Sequence, residues 1–299
     1  MTMSYPSTLD RMPLPALVTT DWLALRLGLP GLVVLDASLI KVMKPDGTYI
    51  RRPAWLEFET SGHIPGARYA DLIHDFSVPG AAFEFTRPGA RQLEAAAGAL
   101  GLSAANQIVI YDNADGIWAA RLWWLLRAYG HKEVAVIDGG LKKWIAEGRP
   151  TAFGTTLVKT ATYRAKPQPG FFVDKADIID VVEGRTSGRL VCVLRPEIFS
   201  GSKKVYSRAG HIPGSISAPY VDLVDERTNA LQPLAALQSS LAPLLKDDGR
   251  IIVYCGGGIT AAGTALTLNV LGITNVAIYD GSLAEWSADL NLPLDVGFD

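Results

Sequence analysis

Cysteine is scarce in this chain: 299 residues contain two, Cys192 and Cys255, in unlike surroundings. That excludes a disulfide framework and suits a reducing compartment. An excess of charge of either sign is also missing. Lys and Arg number 28 against 30 Asp and Glu, so no basic face exists to hold a phosphate backbone, and a nucleic-acid partner is not expected. No apolar run approaches the roughly 20 residues of a membrane span. The start, Met1-Thr2-Met3-Ser4-Tyr5-Pro6, lacks the basic segment and apolar core of a secretory leader. A cytoplasmic protein without membrane attachment is therefore expected. No set of His, Cys, Asp or Glu has the spacing of a metal site, so neither metal nor cofactor is expected.

What is present is a repeat. Gly62-His63-Ile64-Pro65-Gly66-Ala67 reappears as Gly210-His211-Ile212-Pro213-Gly214-Ser215. Ile137-Asp138-Gly139-Gly140-Leu141-Lys142-Lys143-Trp144 returns as Tyr279-Asp280-Gly281-Ser282-Leu283-Ala284-Glu285-Trp286. Between them, Tyr111-Asp112-Asn113-Ala114-Asp115-Gly116-Ile117 is matched by Tyr254-Cys255-Gly256-Gly257-Gly258-Ile259-Thr260. The order is the same each time and the spacing nearly so, as in a duplicated domain with short insertions between fixed elements. A hydrophobic share of 48% can fill two cores.

Each half reads as α/β. Leu32-Val33-Val34-Leu35, Gln107-Ile108-Val109-Ile110-Tyr111 and Val134-Ala135-Val136-Ile137 are short apolar runs, as strands buried on both faces of a parallel sheet should be. Leu190-Val191-Cys192-Val193, Arg250-Ile251-Ile252-Val253-Tyr254 and Asn275-Val276-Ala277-Ile278-Tyr279 repeat them. Helices are expected over 91–100, 119–129 and 261–271, stopped by Gly101, Gly130 and Gly272. Residues 1–150 form one expected domain and 171–299 the other. Residues 151–170, with Pro167 and Pro169 and little apolar periodicity, are the expected linker.

A thiol is a poor nucleophile until it loses its proton, and the thiolate needs donors or positive charge nearby. A strand, then Cys255, three glycines and a helix start supply them. The amides of Gly256, Gly257, Gly258, Ile259 and Thr260 can turn inward as an anion nest, reinforced by the helix N-terminus. A free Cys at such a turn can also be a small buried hydrophobe. A Walker loop would end in Gly-Lys-Ser/Thr, and Gly258-Ile259-Thr260 has no lysine. A phosphatase loop would end in Arg where Thr260 stands.

Taken together, the Cys255 loop, the paired Gly-His-Ile-Pro-Gly and Asp-Gly-Gly/Ser-Leu-x-x-Trp motifs and the Tyr111-Asp112 loop resemble the two-domain rhodaneses, thiosulfate and 3-mercaptopyruvate sulfurtransferases, over nearly the whole chain. The resemblance implies tandem rhodanese domains, each a parallel five-stranded sheet flanked by helices, with the catalytic cysteine in the second. Asp112 in place of Cys fits a first half that cannot carry sulfur. It also implies two steps: Cys255 takes sulfur from a donor as a persulfide, then passes it to cyanide, a thiol or a reduced dithiol protein.

The loop bears on the donor. Thiosulfate members resemble Cys-Arg-Lys-Gly-Val-Thr and mercaptopyruvate members Cys-Gly-Ser-Gly-Val-Thr; this loop has no cation, so 3-mercaptopyruvate is favoured, although Gly257 replaces the serine. Thiosulfate is the second donor, and a persulfide carrier with low small-molecule turnover is the reading from another class. Arg195 matches the family's first anion-binding arginine; the second is missing from Ile198-Phe199, and Lys203, Lys204 or Arg208 are candidates to replace it. His63 and His211 recur in both halves, which points to a fold role. Trp118, Trp123 and Trp124 are expected in core and interdomain packing, with Trp118 near the cleft. Cys192 is expected to be inert within a strand, and Glu57, Glu59, Asp247 and Asp248 to be solvated.

Overall fold

The computed structural model describes residues 13–246 and 249–298. Twelve strands occur there: β1 (Leu17–Val18), β2 (Leu32–Asp36), β3 (Leu39–Met43), β4 (Tyr49–Pro53), β5 (Arg68–Tyr69), β6 (Gln107–Tyr111), β7 (Val134–Ile137), β8 (Phe172–Val173), β9 (Arg189–Cys192), β10 (Ile216–Ser217), β11 (Ile251–Tyr254) and β12 (Val276–Tyr279). They build two five-stranded parallel sheets, ordered β1-β7-β6-β2-β5 and β10-β9-β11-β12-β8. Each sheet is flanked by helices, and the fold is the expected one.

The long central strands are those visible in the sequence, because burial on both faces makes them continuously apolar. The edge strands β1, β5, β8 and β10 have two residues each, too few for any periodicity. The antiparallel hairpin β3–β4, paired from Leu39↔Pro53 to Met43↔Tyr49, was not foreseen; its Lys and Arg residues break the apolar pattern. The expected helices appear as Ala90–Ala99, Ile117–Ala128 and Ile259–Val270.

The Ile117–Ala128 and Ile259–Val270 helices pack against each other and join the halves. One apolar cluster runs across this junction, from Leu122 and Leu126 to Ala262 and Leu266. Trp123 and Trp124 are buried in it, their indole N–H groups donating to Val134 O at 3.0 Å and Phe171 O at 3.1 Å.

The paired motifs are structural. His63 and His211 are buried, stack on Phe58 and Phe199 at 3.8 and 3.7 Å, and bond Phe58 O and Phe199 O through Nδ1, each at 2.9 Å. The following amides, Ile64 N and Ile212 N, donate to the hydroxyls of Tyr111 and Tyr254 at 3.2 and 3.1 Å. Each Gly-His-Ile-Pro-Gly turn thus grips the last residue of the strand that leads into a loop. Residues 151–170 contain neither helix nor long strand, and bond the first half through Ala161 N to Gly98 O and Gln168 N to Ala128 O. Asp247 and Asp248 lie outside the described residues. Glu57 is half-buried and paired with Arg52.

Candidate active site

Cys255 follows β11 directly and lies at the carboxyl end of the second sheet, where ligands bind in open α/β sheets. It is buried, with 2% of its surface exposed. Gly258 makes the turn into the Ile259–Val270 helix with φ 75°, a left-handed conformation in which glycine avoids a Cβ clash. The first amides of that helix, on Ile259, Thr260 and Ala261, have no intrahelical acceptor.

Ser282 fixes the loop. Its Oγ accepts from Cys255 N at 3.2 Å and Gly258 N at 3.1 Å, and donates to Tyr279 O at 2.8 Å. One proton and two lone pairs are thereby used. Leu283 N and Ala284 N donate to Cys255 O and Gly256 O, both at 3.0 Å. Ser282 sits at φ 49°, unfavourable for a residue with a side chain. Gly258 N is therefore spent on Ser282 and is not free to hold an anion, a correction to the sequence reading.

The first-half loop shows what such amides bind. Asp112 Oδ1 accepts from Ala114 N at 2.9 Å and Gly116 N at 3.1 Å, while Oδ2 accepts from Trp118 N and Ala119 N, both at 2.9 Å. Asp112 to Gly116 spans one residue more than Cys255 to Gly258, so Ile117 corresponds to Ile259. The register is thus one residue off a direct overlay, and Trp118 and Ala119 correspond to Thr260 and Ala261. Thr260 N and Ala261 N then face the position that a carboxylate fills in the other half. Ala261 was not among the sequence candidates.

Several walls of the site come from the first half. Arg121 is buried, and its guanidinium donates to Asp280 Oδ1 at 2.7 Å, Phe85 O at 2.7 Å and Gly258 O at 3.4 Å. Asp280 Oδ2 accepts from Arg87 N at 2.9 Å. Arg51, on β4, pairs with Glu84 at 2.7 Å and lies 5.7 Å from the rings of both Phe85 and Trp118. From the second half, Tyr206 lies against Gly256. Trp118 was expected near the cleft; Arg121, Asp280, Arg87, Arg51, Glu84 and Phe85 were not singled out from sequence, because domain docking brings them together, and neither was Tyr206. Ser282 could have been, as the hydroxyl replacing Gly140 in the repeated motif.

Of the expected substrate binders, Arg195 is exposed just beyond β9, the strand paired with β11. Its charge opposes the burial that pushes the Asp115 carboxyl up. Lys203 and Lys204 are exposed too. Arg208 is not available: its guanidinium donates to the carbonyls of Trp286, Ser287, Asp289 and Leu292 at 2.7–3.4 Å. It caps the end of the Ser282–Ala288 helix. Cys192 is fully buried, and burial pushes its thiol up to about 12, where it stays protonated. A cavity of about 300 Å³ lined by Trp124, Arg127 and Arg250 lies beyond the opposite ends of β11 and β12, away from Cys255. No group of three His, Cys, Asp or Glu among the described residues could hold a metal ion.

The rhodanese-like domain model matches twice, over residues 19–147 and 175–289. The chain belongs to the rhodanese family. This rhodanese is 34% identical over 290 residues to 3-mercaptopyruvate sulfurtransferase of Homo sapiens, with 91% of each chain covered. It is 31% identical to thiosulfate sulfurtransferase of Bos taurus, with the same coverage. SseA from Escherichia coli, a 3-mercaptopyruvate sulfotransferase of rhodanese fold, superposes with a TM-score of 0.78 at 27% identity, covering 90% of this chain and 98% of that one.

Proposed function

We propose that this rhodanese is a sulfurtransferase that takes sulfane sulfur from 3-mercaptopyruvate through a Cys255 persulfide. What supports the reading is that Cys255 takes the place of Asp112, whose carboxylate accepts from Trp118 N and Ala119 N, the counterparts of Thr260 N and Ala261 N. A carboxylate accepting four amides at a helix start is a built-in stand-in for an anionic sulfur species. The Cys255 thiolate attacks the donor sulfur and the carbon–sulfur bond breaks. Its electron pair leaves as the enolate of pyruvate, which takes a proton from water. An acceptor thiolate then attacks the outer sulfur and Cys255 departs as thiolate.

Absence of a cation from the 256–260 loop favours a monoanionic keto acid over thiosulfate, and Arg195, Lys203 and Lys204 remain to attract the donor. Thiosulfate is the second donor, favoured by the similarity to the Bos taurus enzyme. The acceptor is a thiol, a reduced dithiol protein or cyanide, and a reducing cytoplasmic setting keeps both cysteines free. No helix of the described residues is long and apolar enough to cross a membrane. The test is steady-state turnover of mercaptopyruvate and thiosulfate by wild type and Cys255→Ser. Faster use of mercaptopyruvate, lost in the variant, is expected. Stoichiometric persulfide loading without turnover would make the chain a carrier.

A further inference from the structure

Gly256 has an ordinary backbone conformation, so nothing in its own φ requires glycine. Space does. A Cβ added there would stand 1.9 Å from the phenol oxygen of Tyr206 and 2.7 Å from its Cζ. The hydroxyl of Tyr206 therefore touches the main chain of the residue next to the nucleophile. It makes no hydrogen bond among the described residues, although the ring is partly buried against the second core. The hydroxyl is thus free to bond a molecule that enters the site. Asn113, the first-half counterpart of Gly256, is exposed. The phenol thus belongs to the half that carries the thiol.

Two features define what this hydroxyl can do. Burial raises the phenol's proton affinity, and a negative sulfur on Cys255 raises it further, so the oxygen keeps its proton and acts as a hydrogen-bond donor. Tyr206 lies over Gly256, next in the chain to Cys255, and the loop then runs into the helix that begins at Ile259. A donor molecule held at Cys255 would have the phenol and the helix start as neighbours. In sulfur transfer from mercaptopyruvate the charge that arrives on Cys255 is lost to the outgoing fragment, whose keto oxygen becomes an enolate oxygen.

Resting on the sulfur-transfer reading, we propose that Tyr206 is a catalytic residue whose phenol donates a hydrogen bond to the outgoing oxygen as the carbon–sulfur bond breaks. The step balances without further reagents. The Cys255–sulfur bond forms, the carbon–sulfur bond breaks, its electron pair moves into the enolate, and Tyr206 keeps its proton throughout. The hydroxyl that Gly257 cannot offer is thereby supplied from outside the loop.

Tyr206→Phe keeps the ring over Gly256 and removes only an unpartnered oxygen, so the fold is retained. Single-turnover loading of Cys255 by mercaptopyruvate, followed by mass, should slow about 100-fold, the scale of losing one oxyanion donor. Discharge of preloaded persulfide to a thiol should keep its rate, because no enolate forms in that step. Loading from thiosulfate, whose leaving sulfite is a weaker base, should slow less. Unchanged loading in Tyr206→Phe overturns the assignment, and so does equal slowing of loading and discharge, which would place the hydroxyl's effect on Cys255 itself. If wild type acquires no sulfur from either donor, the sulfur-transfer reading fails and Tyr206 loses its role with it; normal wild-type loading matched by Tyr206→Phe removes Tyr206 alone.

Discussion

The two strand-to-helix loops of this rhodanese solve one problem in opposite ways. In the first half the loop supplies its own anion: Asp112 accepts four amides, and Gly140, opposite it, has no side chain. A Cβ at Gly140 would come within 2.6 Å of Asp112 O. In the second half position 255 carries a cysteine instead of a carboxylate, and Ser282, the counterpart of Gly140, takes up Cys255 N and Gly258 N. In the proposed function the amides nearest the helix receive a visiting anion. The difference teaches that a binding site can be made from a structural loop by moving one acceptor. An internal carboxylate is removed, and a hydroxyl from the neighbouring turn holds the backbone so that the nest stays open.

The covers differ as well. Tyr220 donates to Asp115 O at 2.8 Å and Asn229 Nδ2 bonds Ala114 O, so the second half closes the inactive loop. The first half reciprocates with Arg121 and Phe85 over the active one. Position 121 on one joining helix corresponds to Gly263 on the other, and Gly263 makes room for the Tyr220 ring, which would meet a Cβ at 2.5 Å. The duplication is preserved in backbone and exchanged in side chains.

The largest effect should come from making the loops alike. Cys255→Asp fills the nest with a carboxylate and should reduce turnover to background, and Asp112→Cys added to it should not restore transfer, because that loop is one residue longer and lacks a serine at 140. Turnover of mercaptopyruvate checks both. Next is the joint itself. Arg121→Met leaves Asp280 buried beside Arg87 without its main partner, which should cost about 3–5 kcal/mol in urea unfolding, as breaking a buried pair does.

A finer contrast separates neighbouring glycines. Gly256→Ser must displace Tyr206 and should lower kcat by about tenfold or more, a loss of about 1.4 kcal/mol in transition-state binding. At Gly257 a Cβ would meet Glu84 O at an ordinary 3.5 Å, so Gly257→Ser should fold and turn over normally. Ser282→Gly relieves the strained φ but orphans two buried amides, with a net loss of about 1–2 kcal/mol by the same unfolding assay.

The smallest effect is on pH dependence. Burial outweighs the four amide bonds and pushes the Asp112 carboxyl from 3.8 up to about 6. The folded state then holds this proton more tightly than the unfolded one. The contribution is fully present below about pH 4 and lost as pH rises through about 6. Asp112→Asn should flatten that shallow decline in the urea midpoint.

Most of this architecture was legible in the sequence. Continuous apolar runs marked β2, β6, β7, β9, β11 and β12, and the repeat of Gly-His-Ile-Pro-Gly revealed two domains. Cys255 stood out through its glycines. The two-residue edge strands carry no pattern, and the β3–β4 hairpin is masked by its charges. Arg121 resembled any helical arginine until docking buried it against Asp280. Arg208 looked like a cleft cation because proximity in sequence says nothing of the carbonyls it caps. Tyr206 could not be read at all, since its meaning depends on Gly256 being empty.

The central claim is that the nest above Cys255 receives sulfur while its twin around Asp112 does not. Intact-mass measurement after one equivalent of mercaptopyruvate, with peptide mapping of the product, tests it most directly. The account predicts one added sulfur atom, located on Cys255 and absent from Cys255→Ser. An unmodified Cys255, or sulfur added to Cys192 instead, would contradict it.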